Sequence, residues 1–310
     1  MAQSTATPAD YIAPLDMNGL SGRMLRMPAP AGKKTEFLFI YGQHSSLERW
    51  WGLIQYIARY GAVTAVDLPG LGGMDSFYTI GKKPTLDNFA DYLAAFIKMR
   101  YKNKRVVVVG MSLGFAIVTR MLQRYPELKK NVSMLVSLVG LVHGDDFKIP
   151  PMLYFFFRSL ATVMKFRVPA LFFRYVCLSS WALRTAYHRT PNAKHKFAAA
   201  KDAAEHEQFM AVEIWLWQHN DVRTHAVTTL EMMDLDNCKQ RVDVPVWHVT
   251  TDVDQYLDSH RVEQHLRVIF SEVHLLRAKL PHHAPSIIAD AETAAPLIPE
   301  KLRHILKKLP

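Results

Sequence analysis

A serine lies between two glycines in the pentapeptide Gly110-Met111-Ser112-Leu113-Gly114, directly after a run of four valines. The valines predict a buried strand, and an amphipathic helical pattern that ends before Pro126 follows the serine at once. A sharp turn between strand and helix lifts a serine hydroxyl clear of the strand end, and the helix N-terminus favours a developing negative charge. The spacing therefore predicts that Ser112 is a nucleophile in a strained backbone conformation, with small residues that let strand and helix approach closely.

Short β-branched or aromatic runs alternate with helical patterns along most of the chain, which predicts a mostly parallel sheet covered by helices on both faces. A helix is predicted from Leu86 to Arg100 with Thr85 as its cap, and a last helix from about Thr293. The segment Tyr11 to Met27 contains Asn18-Gly19 and predicts an antiparallel hairpin that leads into the sheet. The predicted sheet strands are Phe37–Ile40, Ala62–Val66, Val106–Val109, Met134–Val139, Val244–Val249 and Glu272–Ala278.

One long segment, from about Asp146 to Lys239, has helical patterns and many aromatic residues but no convincing strand. It predicts a helical cap, residues 146–239, inserted into a core domain formed by residues 11–145 and 240–310. Residues 1–10 are polar and are predicted to be disordered. The aromatic cap is predicted to roof the active site and to suit an apolar or aromatic acyl group. The alternative is that these aromatic side chains form the cap's own core and its contact with the sheet domain.

Several motifs in the order expected for one family follow each other along the chain. Phe37 to Gln43 is similar to a third strand and the oxyanion loop after it, and Val66 to Gly72 is similar to a D-x-P-G-x-G turn. The serine turn, a strand, the helical segment and the strand Val244–Val249 come next. From about Tyr11 to Leu309 the chain thus resembles the α/β-hydrolase superfamily. The resemblance implies an α/β-hydrolase fold, with a mostly parallel central sheet flanked by helices and a helical cap insertion.

The same resemblance implies an acid after the strand Val244–Val249. The matching stretch is Thr251-Asp252-Val253-Asp254, in which Asp254 falls at the acid position and Asp252 is the alternative. Asp145 and Asp146, which follow the strand Met134–Val139, could supply the acid in a variant arrangement. The order Ser, Asp, His along the chain is the order expected for this fold.

A base is implied in the loop after the last strand, Leu280-Pro281-His282-His283-Ala284-Pro285. The family register places it at His283, with His282 as the alternative. His283 would take the proton of Ser112 and return it to the leaving group, while Asp254 orients the imidazole. The backbone N–H groups of Gln43 and Leu113 would form the oxyanion hole.

Three residues depart from the family pattern. Tyr41 stands where many relatives have His before the oxyanion glycine, Thr251 replaces a common Gly and His282 replaces another. None of these changes removes a reacting group.

The resemblance implies a serine hydrolase that cleaves an ester, lactone or related acyl bond, as carboxylesterases, lipases and lactonases do. The same triad could instead transfer the acyl group or cleave amide or carbon–carbon bonds, and a non-catalytic relative would bind a ligand. No cofactor or metal is expected. Gly70-Leu71-Gly72-Gly73 does not complete G-x-G-x-x-G, and no P-loop or H-E-x-x-H pattern occurs.

Composition limits the partners. The 38 Lys and Arg residues exceed the 28 Asp and Glu residues, for a formal net charge of +10, yet no nucleic-acid-binding motif accompanies them. The expected partner is a small acyl substrate. Two cysteines and an N-terminus without a signal-peptide pattern favour a cytoplasmic protein. Pro150 to Val176 interleaves basic with apolar residues, which favours a weak association with a membrane surface.

Overall fold

A central sheet of eight strands organises the computed structural model, which describes residues 6–189, 200, 202–251, 253–278, 288 and 290–310. The strand order is β1-β2-β4-β3-β5-β6-β7-β8, and all pairs from β4 to β8 are parallel. This arrangement confirms the predicted fold class. The strands are β1 Ile12–Met17, β2 Leu20–Met27, β3 Glu36–Ile40, β4 Ala62–Val66, β5 Val106–Met111, β6 Val132–Leu138, β7 Val246–Thr250 and β8 Val273–Arg277.

The first two strands form the predicted hairpin at one edge of the sheet. They pair antiparallel, and Asn18 and Gly19 turn the chain with φ of 55° and 79°. Two successive positive φ values are the signature of the tight hairpin turn that Asn-Gly favours. Strand β2 also pairs antiparallel with β4. The central strand β5 is buried along its whole length, which explains its continuous apolar sequence.

Eleven helices lie within the described residues. The predicted helix over Leu86–Arg100 is confirmed, and the Thr85 side chain caps it by accepting a hydrogen bond from the Asn88 N–H at 3.3 Å. The helices are α1 Trp51–Ala58, α2 Leu86–Arg100, α3 Leu113–Arg124, α4 Pro151–Met164, α5 Arg167–Phe172, α6 Ser180–Arg189, α7 Ala203–His219, α8 Val222–Met233, α9 Ser259–Ile269, α10 Ala291–Ala294 and α11 Glu300–Lys307.

The chain end differs from the sequence prediction of one closing helix. Helix α10 stops after one turn, a 3-10 turn Ala295–Leu297 follows, and α11 begins only at Glu300. Pro296 and Pro299 cause the interruption because proline lacks the N–H that a continuous helix needs. At the other end, residues 1–5 of the segment predicted to be disordered lie outside the described residues, while Pro8–Asp10 form a short 3-10 turn.

Between β6 and β7 the described residues contain helices α4 to α8, and a π-helical turn, Phe173–Cys177, extends α5. This segment has a small core of its own, which is separate from the main one. Phe155, Phe156, Phe166, Phe172 and Trp181 are exposed, so the alternative that the aromatic residues form this core is wrong for them. The exact limits of a core domain and a cap domain stay a prediction. No described helix is both long and apolar enough to cross a bilayer.

Candidate active site

Ser112 lies at the turn between β5 and α3, where its backbone adopts φ +48° and ψ −122°. A non-glycine residue with positive φ is strained, so the conformation predicted from the sequence is confirmed. The Ser112 N–H donates to the Leu138 carbonyl at 3.1 Å, and its own carbonyl accepts from the Phe115 N–H at 3.0 Å. These two bonds hold the turn between the neighbouring strand β6 and the first turn of α3.

Close backbone packing at this turn requires its two glycines. A Cβ atom on Gly114 would lie 2.2 Å from the Ile40 carbonyl oxygen, and one on Gly110 would lie 2.7 Å from the Cα of Phe115. The predicted close approach of strand and helix is therefore confirmed. Gly42 in the loop after β3 is less tightly confined, because a Cβ there would lie 3.0 Å from the Cβ of Ser112.

Ser112 lines a cavity of about 270 Å³. The walls are largely apolar, with polar groups from the loop after β3 and from the loop after β7. This combination is typical of a small-molecule site, although the volume suits only a small ligand group. The other lining residues are Gly42, Gln43, His44, Arg49, Trp50, Met111, Phe147, Met232, Gln255, Tyr256 and Leu257.

The two predicted oxyanion residues, Gln43 and Leu113, directly follow Gly42 and Ser112 in the sequence. Helix α3 begins at Leu113, so its N–H is one of the first-turn donors that have no acceptor within the helix. Within the described ranges, neither this N–H nor that of Gln43 donates a hydrogen bond to the protein. The Gln43 side-chain Nε2 lies 2.7 Å from the Thr228 Oγ1 and 2.9 Å from the His225 carbonyl, which ties the loop to α8. Their role as oxyanion donors stays a prediction.

Asp254, the predicted acid, is buried in the loop after β7. Its Oδ1 accepts the N–H groups of Tyr256 at 2.8 Å and Leu257 at 2.9 Å, and both of these residues line the cavity of Ser112. The carboxylate is thereby held behind the cavity wall. The predicted base His283, its alternative His282 and the alternative acid Asp252 lie outside the described residues, so the triad stays a prediction.

Asp145 and Asp146, the alternative acids after strand β6, lie away from the cavity of Ser112. Asp145 is exposed, whereas Asp146 is fully buried at the start of the cap. Asp146 Oδ2 accepts the N–H groups of Val142 and His143 at 2.8 and 2.9 Å, and its Oδ1 lies 2.6 Å from His265 Nδ1. Neither aspartate lines the cavity of Ser112. These contacts give Asp146 a structural role and do not favour it as the acid.

Tyr41 has a structural role that sequence reasoning missed, although its departure from the family pattern marked the position. Its hydroxyl donates to the Oδ1 of Asp67 at 2.6 Å and accepts from the Leu68 N–H at 3.0 Å. Arg23 Nη2 contacts Asp67 Oδ2 at 2.9 Å and also pairs with Glu48. Burial raises the pKa of Asp67 to about 7, against the opposing effect of the Arg23 charge. The cluster fixes the strand end from which the loop with Gly42 begins.

A second buried polar cluster joins that loop to the cap, and no sequence motif signalled it. Glu213 on α7 is fully buried, and its Oε2 lies 3.3 Å from His44 Nε2 and accepts from the Tyr187 hydroxyl at 2.9 Å. Arg49 Nη1 lies 3.8 Å from Glu213 Oε1 and donates to the His44 carbonyl at 2.8 Å. His44 itself has φ +54°. Glu213 on the cap therefore contacts both His44 and Arg49, which line the cavity of Ser112.

A buried histidine, His248 on β7, lies beside the candidate acid. Its Nδ1 is 2.8 Å from the Ser137 Oγ on the neighbouring strand. Burial lowers the pKa of His248 to about 4, and the nearby Asp254 charge offsets this only in part. The imidazole is therefore neutral at neutral pH. Among the described residues, no group of three or more His, Cys, Asp or Glu side chains could hold a metal ion.

Solved structures with this architecture belong to several hydrolases. A putative lipase from Acinetobacter baumannii AYE is 13% identical with a TM-score of 0.63, over 96% of this chain and 91% of that chain. An enol-lactonase from Burkholderia xenovorans LB400 is 10% identical with a TM-score of 0.62, over 86% and 91%. An N-formylmaleamic acid deformylase from Pseudomonas putida S16 is 16% identical with a TM-score of 0.60, over 88% and 94%. At these identities the likeness concerns the fold.

Sequence comparison assigns the family more directly. Among curated proteins no sequence is significantly similar to this chain. A family model described as the alpha/beta hydrolase fold matches residues 36–222, which is more than half of the chain and includes the turn at Ser112. Together with the strand order, this match shows that the chain belongs to the α/β-hydrolase fold family.

Proposed function

We propose that this protein is a serine hydrolase that cleaves an ester or related acyl bond through an acyl-enzyme intermediate. The observation that carries the proposal is the strained backbone of Ser112, which lies at a strand-to-helix turn and lines a cavity. A strained residue persists only where the surrounding structure holds it, and such residues cluster at functional sites.

In the proposed mechanism, His283 takes the proton from Ser112 Oγ as the oxygen attacks the substrate carbonyl. The N–H groups of Gln43 and Leu113 stabilise the oxyanion, and Asp254 stabilises the imidazolium. Collapse of the intermediate breaks the bond to the leaving group, which receives the proton from His283. A water molecule then hydrolyses the acyl-enzyme by the same steps, and the acid product leaves.

The size and lining of the cavity suggest the acyl group. The side chains of Trp50, Phe147, Met232 and Leu257 provide apolar walls, and about 270 Å³ accommodates a short aliphatic or a single-ring acyl group. A second candidate function uses the same groups: an alcohol or amine acceptor in place of water would make the protein an acyltransferase. We propose a cytoplasmic location for either activity.

Labelling with a fluorophosphonate probe tests the nucleophile. Such probes phosphonylate an activated serine, so wild-type protein is expected to be labelled and Ser112→Ala to lose the label. The exposed Ser271 provides the matched control, since Ser271→Ala is expected to be labelled as the wild type is. Equal labelling of wild type and Ser112→Ala would refute the assignment.

Hydrolysis of p-nitrophenyl esters of increasing chain length tests the reaction. We expect turnover to be highest for short acyl chains and to fall by roughly 10³-fold or more in Ser112→Ala, Asp254→Asn and His283→Ala. Labelling without turnover of any ester, followed by product formation once an alcohol acceptor is added, would favour the acyltransferase.

A further inference from the structure

Exposed apolar side chains are concentrated on one part of the cap. Of the sixteen large apolar residues exposed in the described ranges, thirteen lie between Met152 and Trp181. Several are almost fully exposed, with 86% of Met152, 77% of Val168 and 77% of Trp181 accessible to solvent. Soluble monomers rarely leave so many large apolar side chains together on the surface, and such patches mark interaction sites.

We call the exposed side chains of α4, α5, the π-helical turn and α6, residues 151–189, the outer cap surface. These elements contact one another in chain order, so their exposed side chains lie on adjacent helices. Each of the three helices has a single buried residue among those described: Ala161 in α4, Ala170 in α5 and Leu183 in α6. One side of helix α4 packs on α8. The α4 residues Phe155, Phe156 and Phe157 remain exposed.

The charge of this surface has one sign. Residues 151–189, which form this surface, contain six Lys and Arg residues and no Asp or Glu. Asp234 pairs with Arg158 and Glu207 pairs with Arg184 at its edges. Lys165, whose Nζ lies 5.4 Å from the centre of the Phe166 ring, stands among the exposed apolar side chains with Arg167.

We propose that the outer cap surface binds the surface of an anionic lipid bilayer. Aromatic and aliphatic side chains such as Phe155, Phe172 and Trp181 enter the boundary between head groups and acyl chains, where aromatic rings are favoured. Lys165 and Arg167 lie at the level of the lipid phosphates and add an electrostatic attraction. Both features are needed together, because neither a few apolar residues nor a few charges alone give stable binding.

Charge complementarity favours a bilayer over a second copy of the chain. A symmetric dimer through this surface places the same patch of both subunits in contact. Two segments without a single acidic residue would then face each other at close range and repel. An anionic bilayer supplies opposite charge and an apolar layer in the same place.

Co-sedimentation with vesicles tests the proposal, using phosphatidylcholine alone and phosphatidylcholine mixed with phosphatidylglycerol. Wild-type protein is expected to pellet with the mixed vesicles and to be released by salt. The triple variant Phe155→Gln, Phe172→Gln, Trp181→Gln is expected to stay in solution. The variant Lys165→Gln, Arg167→Gln is expected to bind mixed vesicles roughly 30-fold more weakly, since each charge near the surface contributes about fivefold.

Control variants separate this surface from general effects. Met99→Gln, Val268→Gln changes two exposed apolar residues outside the cap and is expected to pellet like the wild type. Circular dichroism checks that the triple variant is folded, which its exposed positions favour. Ser112→Ala is expected to bind vesicles fully, so failure of the proposed function leaves this test unaffected.

Two results would overturn the proposal. One is that wild-type protein does not pellet with the mixed vesicles, or that the triple variant pellets equally. The other is that light scattering finds a wild-type dimer that the triple variant abolishes, while neither protein binds vesicles, because the surface would then be an interface between copies.

Discussion

Protonation of His248 is expected to destabilise the folded protein as the pH falls from 6.5 toward 4. The imidazole is buried on β7, and burial lowers its pKa from 6.5 to about 4. Between these values the unfolded chain binds a proton that the folded chain does not. The contribution of the neutral imidazole is therefore complete above pH 6.5 and is lost as the pH falls through the folded pKa.

The size of this effect follows from the change in pKa. A fall in the pKa from 6.5 to about 4 lowers the free energy of unfolding by about 3 kcal/mol when both states are fully protonated, and by about 2–3 kcal/mol at a pH of about 4.5. That is a large fraction of the stability of an ordinary domain. Carboxylates elsewhere in the protein also titrate in this range. The prediction therefore concerns the difference in acid-induced loss of stability between wild type and a variant that lacks the imidazole.

Urea unfolding at pH 7 and at about pH 4.5 measures that difference. His248→Asn keeps a polar group next to Ser137 but cannot be protonated, so the free energy of unfolding of the wild type should fall by about 2–3 kcal/mol more than that of the variant on acidification. Ser137→Ala is the control: it removes the hydrogen-bond partner, lowers the free energy of unfolding at both pH values and keeps the full pH-dependent loss. Equal losses in wild type and His248→Asn would refute the reasoning.

Three further substitutions probe the surroundings of the candidate site. Gly42→Ala brings a methyl group to 3.0 Å from the Cβ of Ser112, and we expect ester hydrolysis to slow by about tenfold while the urea midpoint changes little; an unchanged rate would contradict this. Tyr41→Phe removes the acceptor of the Leu68 N–H, so the free energy of unfolding measured in urea should fall by about 1–3 kcal/mol. An unchanged free energy of unfolding would contradict this prediction. Glu213→Ala removes a buried carboxylate that lies 3.8 Å from the Arg49 guanidinium, and thermal unfolding should report a loss of about 3–5 kcal/mol. Glu213→Gln keeps the volume of the side chain and isolates the effect of its charge.

Local sequence patterns were enough to predict most of the sheet and the nucleophile turn. Helix α2 begins and ends where its apolar period and the Thr85 cap predict, and the predicted strands agree with the structure to within a few residues. The strained turn at Ser112 could be predicted because its determinants, a valine strand and two nearby glycines, are all within ten residues. Information of this kind is encoded in spacing, which does not depend on distant parts of the chain.

The tertiary structure alone decided how distant residues meet. Glu213 reaches His44 across much of the sequence, and Tyr41 finds Asp67, because the cap and the ends of parallel strands converge on one side of the sheet. Composition identified the cap as helical and aromatic but did not determine which side chains would be exposed. An apolar residue is buried only if another element covers it, and in the cap helices α4 to α6 most of the large apolar side chains have no such cover within the described chain. The sequence thus determined the elements and the serine turn, whereas packing between distant segments decided the buried charges beside the cavity and the apolar surface of the cap.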